Sequence, residues 1–291
     1  MSPHRQTFRP VGRGGPGGGG GLSVTFDNLG EAAELELGAS PAGAELGGHV
    51  SATEIVPALL DRLGERGLAA TFFVEGLNAE LYPDLLREID ARGHEVAYHA
   101  WRHEQWADLP AAAQAANLAR GAAAFERLGL RLTGLRPPGG QLGAGGLGVL
   151  REAGLRYCSP AGAGAGEDGG IALLPFRWEH VDASCVLPPL APARERMRGS
   201  PDPVEPAAFV AWLGGEIDRL AGEGGFMSIV LHPFMLGWLG PACLDRLLDR
   251  VAAAAGEGLA VARCAEVAER VLAEPERFRG ATALDTASWA G

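Results

Sequence analysis

Lysine is missing from all 291 residues, so the 25 basic side chains are all arginine. This removes Schiff-base and lysine-nucleophile chemistry from consideration. With the surplus of alanine and glycine, it reads as a bias of genomic base composition. Cysteine is scarce: Cys158, Cys185, Cys243 and Cys264 are scattered, with no C-x-x-C pair. They fit reduced thiols in a cytoplasmic protein better than a disulfide framework. No apolar run reaches the roughly 18 residues of a membrane span. Acidic residues outnumber arginine 36 to 25, for a net charge of −11, which argues against nucleic acid or an anionic membrane as partner. Residues 1–21 lack the apolar stretch of a secretory signal. Their run from Gly14 to Gly21 reads as a disordered leader, and because it precedes a strand it does not suit a phosphate cradle.

What is there is an alternation of strand-like and helix-like segments. Leu22–Phe26, Ala69–Val74, Glu95–Tyr98, Thr133–Arg136, Arg156–Cys158, Ile171–Phe176, Phe226–Leu231 and Leu259–Val261 read as strands. Helices are expected over about 51–66, with Ser51 or Thr53 as N-cap, and over 83–91, 111–128, 144–153, 206–222, 241–255 and up to about 272. Residues 160–170 read as a surface loop, 188–206 as irregular proline-rich chain, and the last 15 or so as a loose tail. This order implies a mostly parallel sheet covered by helices, either a closed barrel or an open doubly wound sheet. The organisation expected is a leader (1–21), one catalytic domain (22–272) and a tail (273–291).

Polar residues with chemical potential gather where these strands end: Asp27 and Asn28, His99 and His103, Arg136, and His232. Strand ends on one rim are where parallel α/β folds build active sites. On a helical turn the imidazoles of His99-Ala-Trp-Arg-His103 would share one face and could reach one point. Two imidazoles plus an oxygen ligand suit zinc and its first-row neighbours and leave a position open for water.

These segments together resemble the polysaccharide deacetylase (NodB-homology, carbohydrate esterase family 4) superfamily. Thr25-Phe-Asp-Asn28 is similar to its T-F-D-D motif, His99-x-x-x-His103 to its H-x-x-x-H motif, and Ala70-Thr-Phe-Phe-Val74 to its A-T-F-F-V strand. Arg136-Pro-Pro-Gly-Gly140 fits R-x-P-x-G, and Leu231-His232 fits the final L-x-H-type motif. The resemblance spans roughly residues 22–272 with the motifs in family order. It implies a distorted (β/α) barrel of about seven parallel strands and hydrolysis of an N-acyl amide on a saccharide or small molecule. It also implies a divalent metal, zinc first, with cobalt, nickel and manganese as the other candidates. On this resemblance Asp27 is the base, His99, His103 and position 28 hold the metal, Arg136 orients the base, and His232 is the acid. Pro138 and Leu231 line the substrate groove and acetyl pocket, and Trp178 and Asp182 are further pocket residues.

An amide resists water, so the chemistry requires a nucleophile, stabilisation of an oxyanion and an acid for the departing amine. Position 28 departs from the family pattern. Asn28 offers an amide oxygen without negative charge, which holds a dication less firmly. Asp27 or Glu31 could stand in as ligand, or the metal could have been given up. Two further readings therefore stay beside the deacylase: an allantoinase-like cyclic-amide hydrolase, and a barrel that binds without turnover. The oligomeric state is not legible.

Overall fold

The computed structural model describes residues 21–39, 45–278 and 282–285; the expected leader lies outside them. Among the described residues ten strands run in chain order: β1 (Gly21–Asp27), β2 (Thr71–Val74), β3 (Glu95–Tyr98), β4 (Gly134–Leu135), β5 (Tyr157–Cys158), β6 (Gly162–Ala163), β7 (Gly166–Asp168), β8 (Ile171–Leu173), β9 (Phe226–Leu231) and β10 (Ala283–Leu284). Eight form one sheet in the order β7-β8-β5-β4-β3-β2-β1-β9, and β6 pairs with β10 in a second. Every pairing in the large sheet is parallel except β7 with β8. The sheet curls into a distorted (β/α) barrel whose β7 and β9 edges do not pair with each other among the described residues.

Alternation along the strands sorts the side chains into two sets. Val24 and Phe26 of β1, Phe72 and Val74 of β2, and Val96 and Tyr98 of β3 pack outward in the main core with the helices 56–65, 83–91, 111–126, 206–223 and 241–256. Phe73, Ala97 and Tyr157 face inward and meet Cys264, Val267, Ala268 and Val271 of the helix Cys264–Ala273. That helix closes one end of the barrel. Its Cys264 N–H donates to Thr71 Oγ1 at 2.9 Å and its Ala265 N–H to Glu95 Oε2 at 2.9 Å.

Several local expectations change. Residues 160–170 are not only loop but hold β6 and β7, turned by Gly169 and Gly170 at positive φ. The proline-rich stretch contains a helix, Ala191–Arg198, gathered by the buried Arg194, whose guanidinium donates to the carbonyls of Ser184, Leu187, Pro201 and Asp202. The helix at 51 begins as a π-helical turn after Val50, and neither Ser51 nor Thr53 caps it. Leu259–Val261 makes only an isolated bridge, Val261 with Leu22. The tail is not wholly loose, because β10 docks on β6, where a Cβ at Gly162 would come 2.3 Å from the Ala283 carbonyl oxygen.

Candidate active site

The inward register of β1, β2, β3 and β9 delivers a layer of polar side chains at the open end. Asp27 closes β1, and His99 and His232 directly follow β3 and β9, each two residues beyond an inward neighbour (Thr25, Ala97, Val230). Arg136 follows β4 and reaches beneath them. Its guanidinium donates to Asp27 Oδ1 at 2.8 Å, Thr25 Oγ1 at 2.7 Å, Ser159 Oγ at 3.0 and 3.2 Å and Ser228 Oγ at 3.0 Å. It also lies over the Phe73 ring at 4.1 Å. A buried guanidinium is costly unless every donor is matched. One carboxylate and three hydroxyls match it here and fix the Asp27 carboxylate in place.

His232 is held as firmly. Its Nδ1 is 2.6 Å from Asp182 Oδ1, and its backbone N–H donates to Asp182 Oδ2 at 2.8 Å. Burial opposes the charged ring, but the Asp182 carboxylate and its hydrogen bond prevail and raise His232 above the ordinary imidazole range. Asp182 was expected to line the pocket. It is instead fully buried behind His232, brought there by the bridge of Val181 to Val230.

The two metal-motif histidines converge by a route other than a helical turn. Residues 99–103 form an irregular loop in which Ala100 (φ 64°) and His103 (φ 75°) are left-handed. The loop is tied down by Glu104, which accepts from the Trp101 and Arg102 N–H groups. The ring centroids of His99 and His103 stand 4.9 Å apart. Burial drives both imidazoles down to about 3, which leaves them neutral and able to act as ligands. His99 Nδ1 lies 2.8 Å from the Arg136 carbonyl, to which it can only donate, so Nε2 keeps the lone pair. His103 Nδ1 and Asn28 Oδ1 are both buried with no hydrogen-bond partner. Asn28, at φ 61°, is left-handed too, a conformation that Asn tolerates among non-glycine residues.

Two neutral imidazoles and an unpaired amide oxygen fit a divalent cation. Among the described residues no three His, Cys, Asp or Glu side chains converge to complete such a set with a carboxylate. Asp27 is committed to Arg136, and Glu31 accepts from Tyr82 Oη at 2.5 Å and the Gly47 N–H at 2.8 Å, which pins the loop after β1.

The acetyl-pocket expectation needs correction. Leu231 does not line an acetyl pocket, since it faces the outer core as a consequence of His232 facing inward. Val230 takes the inward position, in a cluster with Ala161, Phe176 and Val181. Pro138 is buried in a 3-10 turn. Trp178 is half-buried, its ring 5.5 Å from Phe176, which in turn flanks Arg136 at 5.0 Å. A cavity of about 500 Å³ adjoins the rim at Gly140, with walls from Leu142, Pro160, Ala161 and Leu284 of the tail strand.

Glu75 faces the same open end and escaped the sequence reading. It follows Val74 directly, continues the inward series Thr71 and Phe73, and is fully buried. Oε2 accepts from Asn78 Nδ2 at 2.8 Å, while Oε1 has no partner. Burial raises its carboxyl to about 8, with Asp27 adding to the rise and His232 opposing it. A Cβ at Gly76 would lie 2.5 Å from the Trp101 ring, so this corner fits tightly against the histidine loop.

Comparison with known proteins yields three kinds of match. Residues 20–158 match the family model described as polysaccharide deacetylase. A chitooligosaccharide deacetylase of Sinorhizobium fredii is 49% identical over 47 residues, 16% of this chain and 22% of that protein. A peptidoglycan-N-acetylglucosamine deacetylase of Bacillus cereus is 36% identical over 56 residues, 19% of this chain and 20% of its own length. These alignments thus span about a fifth of the curated relatives. A Mycobacterium smegmatis structure described as a polysaccharide deacetylase superposes with TM-score 0.73 at 25% identity, covering 95% of this chain and 98% of that one.

Proposed function

We propose that this chain, which belongs to the polysaccharide deacetylase superfamily, hydrolyses a carbon–nitrogen amide bond as a metal-dependent N-deacetylase of a sugar or small-molecule amide. The observation that carries this is the pairing of two separately anchored proton-transfer groups across one rim, Asp27 on Arg136 and His232 on Asp182. A barrel that only binds has no use for a carboxylate and an imidazole each held in place by its own buried partner.

In this reading His99, His103 and Asn28 would hold the cation, zinc first among candidates, which when bound polarises the carbonyl and acidifies a water. Asp27 takes the proton of the attacking water, aimed by its hydrogen bond from Arg136. His232, its imidazole raised by Asp182, gives a proton to the departing nitrogen. Trp178 offers an aromatic face on the substrate side. The four cysteines are unpaired, which suits a cytoplasmic protein and a small amide over assembled polymer. Among the described residues no helix is long and apolar enough to cross a membrane.

The test is amine release by the zinc-loaded chain from N-acetylglucosamine oligomers, small N-acyl amides and cyclic amides. Turnover of an acyclic amide, lost in His232→Gln, supports the reading. Turnover confined to cyclic amides replaces it with the ring-opening hydrolase, and zinc uptake without any turnover replaces it with a binding protein.

A further inference from the structure

We infer that Glu75 supplies the negative charge that Asn28 withholds, so that the site's second carboxylate has moved from the end of β1 to the end of β2. This deepens the metal-dependent reading above and rests on it.

Strand register places Glu75 beside a metal-motif histidine. Val74 pairs with Tyr98, so Glu75 stands level with His99, and each directly follows its strand as Asn28 follows β1. Inward alternation turns Glu75 to the same side as His99, one inward position beyond the level of Asp27 and His232, towards the open end. The other carboxylates there have fixed partners: Asp27 is tied to Arg136 and Asp182 to His232. Glu75 is steadied on one oxygen by Asn78, and among the described residues no cationic side chain bonds it.

A buried carboxyl with an unsatisfied oxygen is expensive for a fold, and strand ends rarely keep one unless the site uses it. A cation's field favours the ionised carboxyl that burial alone disfavours, and through a low-dielectric interior that carboxylate acts on the dication without touching it, so Glu75 need not be a direct ligand. Asn28, free of the charge requirement, keeps the left-handed turn that carries the chain away from β1. The structure assigns Glu75 as a positioning residue acting through electrostatics on the cation held by His99 and His103.

A charge-swap cycle tests it. Zinc affinity is measured by competition with a chromophoric chelator for the full chain, E75Q, N28D and N28D/E75Q, each checked by thermal melt. E75Q should weaken zinc by about 10- to 100-fold, the range for groups that support metal ligands from behind. N28D/E75Q should return to within about threefold of wild type, because it restores one carboxylate on the neighbouring strand. Equal affinities of wild type and E75Q overturn the inference. So does a double variant as weak as E75Q, since Glu75 would then matter by shape and not by charge. If E75Q does not fold, N28D/E75Q decides: a folded double variant with wild-type-like affinity supports the inference, and a second failure to fold assigns Glu75 to scaffolding and overturns it. Wild type that cleaves amides after chelation and takes up no zinc fails a different claim, the metal dependence itself.

Discussion

Two glutamates face the barrel interior from neighbouring strands, Glu95 at the start of β3 and Glu75 just past the end of β2. Both are buried and both carboxyls are raised by that burial. Glu95, at the closed end, collects four donors: Thr71 Oγ1, Tyr157 Oη, Thr133 Oγ1 and the Ala265 N–H. Glu75, at the open end, has one donor and an unpartnered oxygen. The same residue type in the same barrel is thus fully bonded where it joins the helix Cys264–Ala273 to the sheet and under-bonded where chemistry is proposed. Satisfied buried polar groups hold structure together, and unsatisfied ones mark where a ligand completes the bonding.

On that division, open-end variants should change chemistry and spare stability, and closed-end variants should do the reverse. The largest effect falls on the metal pair: His99→Ala or His103→Ala should remove zinc binding and turnover together, with a melting temperature near wild type. Undiminished turnover by either variant after chelation would exclude a metal mechanism. His232→Gln should follow, slowing amine release about a hundred- to ten-thousand-fold, the range for a lost general acid. In its companion Asp182→Asn the alkaline limb of the rate profile should move to lower pH, because the partner that raises the imidazole is gone. At the closed end Glu95→Ala leaves several donors unpaired and should cost about 3 kcal/mol or more in denaturant unfolding. Its zinc affinity should not change, and a large loss would break the comparison.

The smallest effect is a pH trend. His99 and His103 sit far below the ordinary imidazole range in the folded chain. The unfolded chain therefore takes up protons first, and metal-free protein should lose stability steadily as pH falls from about 6.5 towards 3. His99→Ala should flatten that slope in melts recorded across pH. An unchanged slope would mean the imidazoles are not buried as neutral groups.

The open-end residues were legible because local pattern and strand ends mark them. Asp27, His99, Arg136 and His232 each follow a short run that could only be a strand. The guanidinium's shell was not legible: Thr25, Ser159 and Ser228 are hydroxyls of no distinctive type, lying 111, 23 and 92 residues from Arg136. Leu231 was misplaced by taking the residue beside His232 as its pocket neighbour, when a period of two gives that role to Val230. Counting the same period two residues past Phe73 would have found Glu75. The histidine loop was misread as helical because H-x-x-x-H spacing suits a helix, whereas left-handed turns at Ala100 and His103 bring the rings together here. β6 and β7 hid in a Gly/Ala/acidic stretch without β-branched residues, the usual strand signal.

Those left-handed turns bear on how this protein would respond to selection for heat resistance. Among the described residues the non-glycine positions at positive φ are Asn28, Ala100 and His103, all on the open rim. Each such backbone costs about 1–2 kcal/mol that glycine does not incur. At Ala100, where no side-chain chemistry is lost, a change to glycine can relax the turn. At Asn28 and His103 the same relaxation would delete a donor from the site. Variants enriched by heating would therefore accumulate near the rim and trade turnover for survival, leaving a sturdier barrel with a blunted mouth.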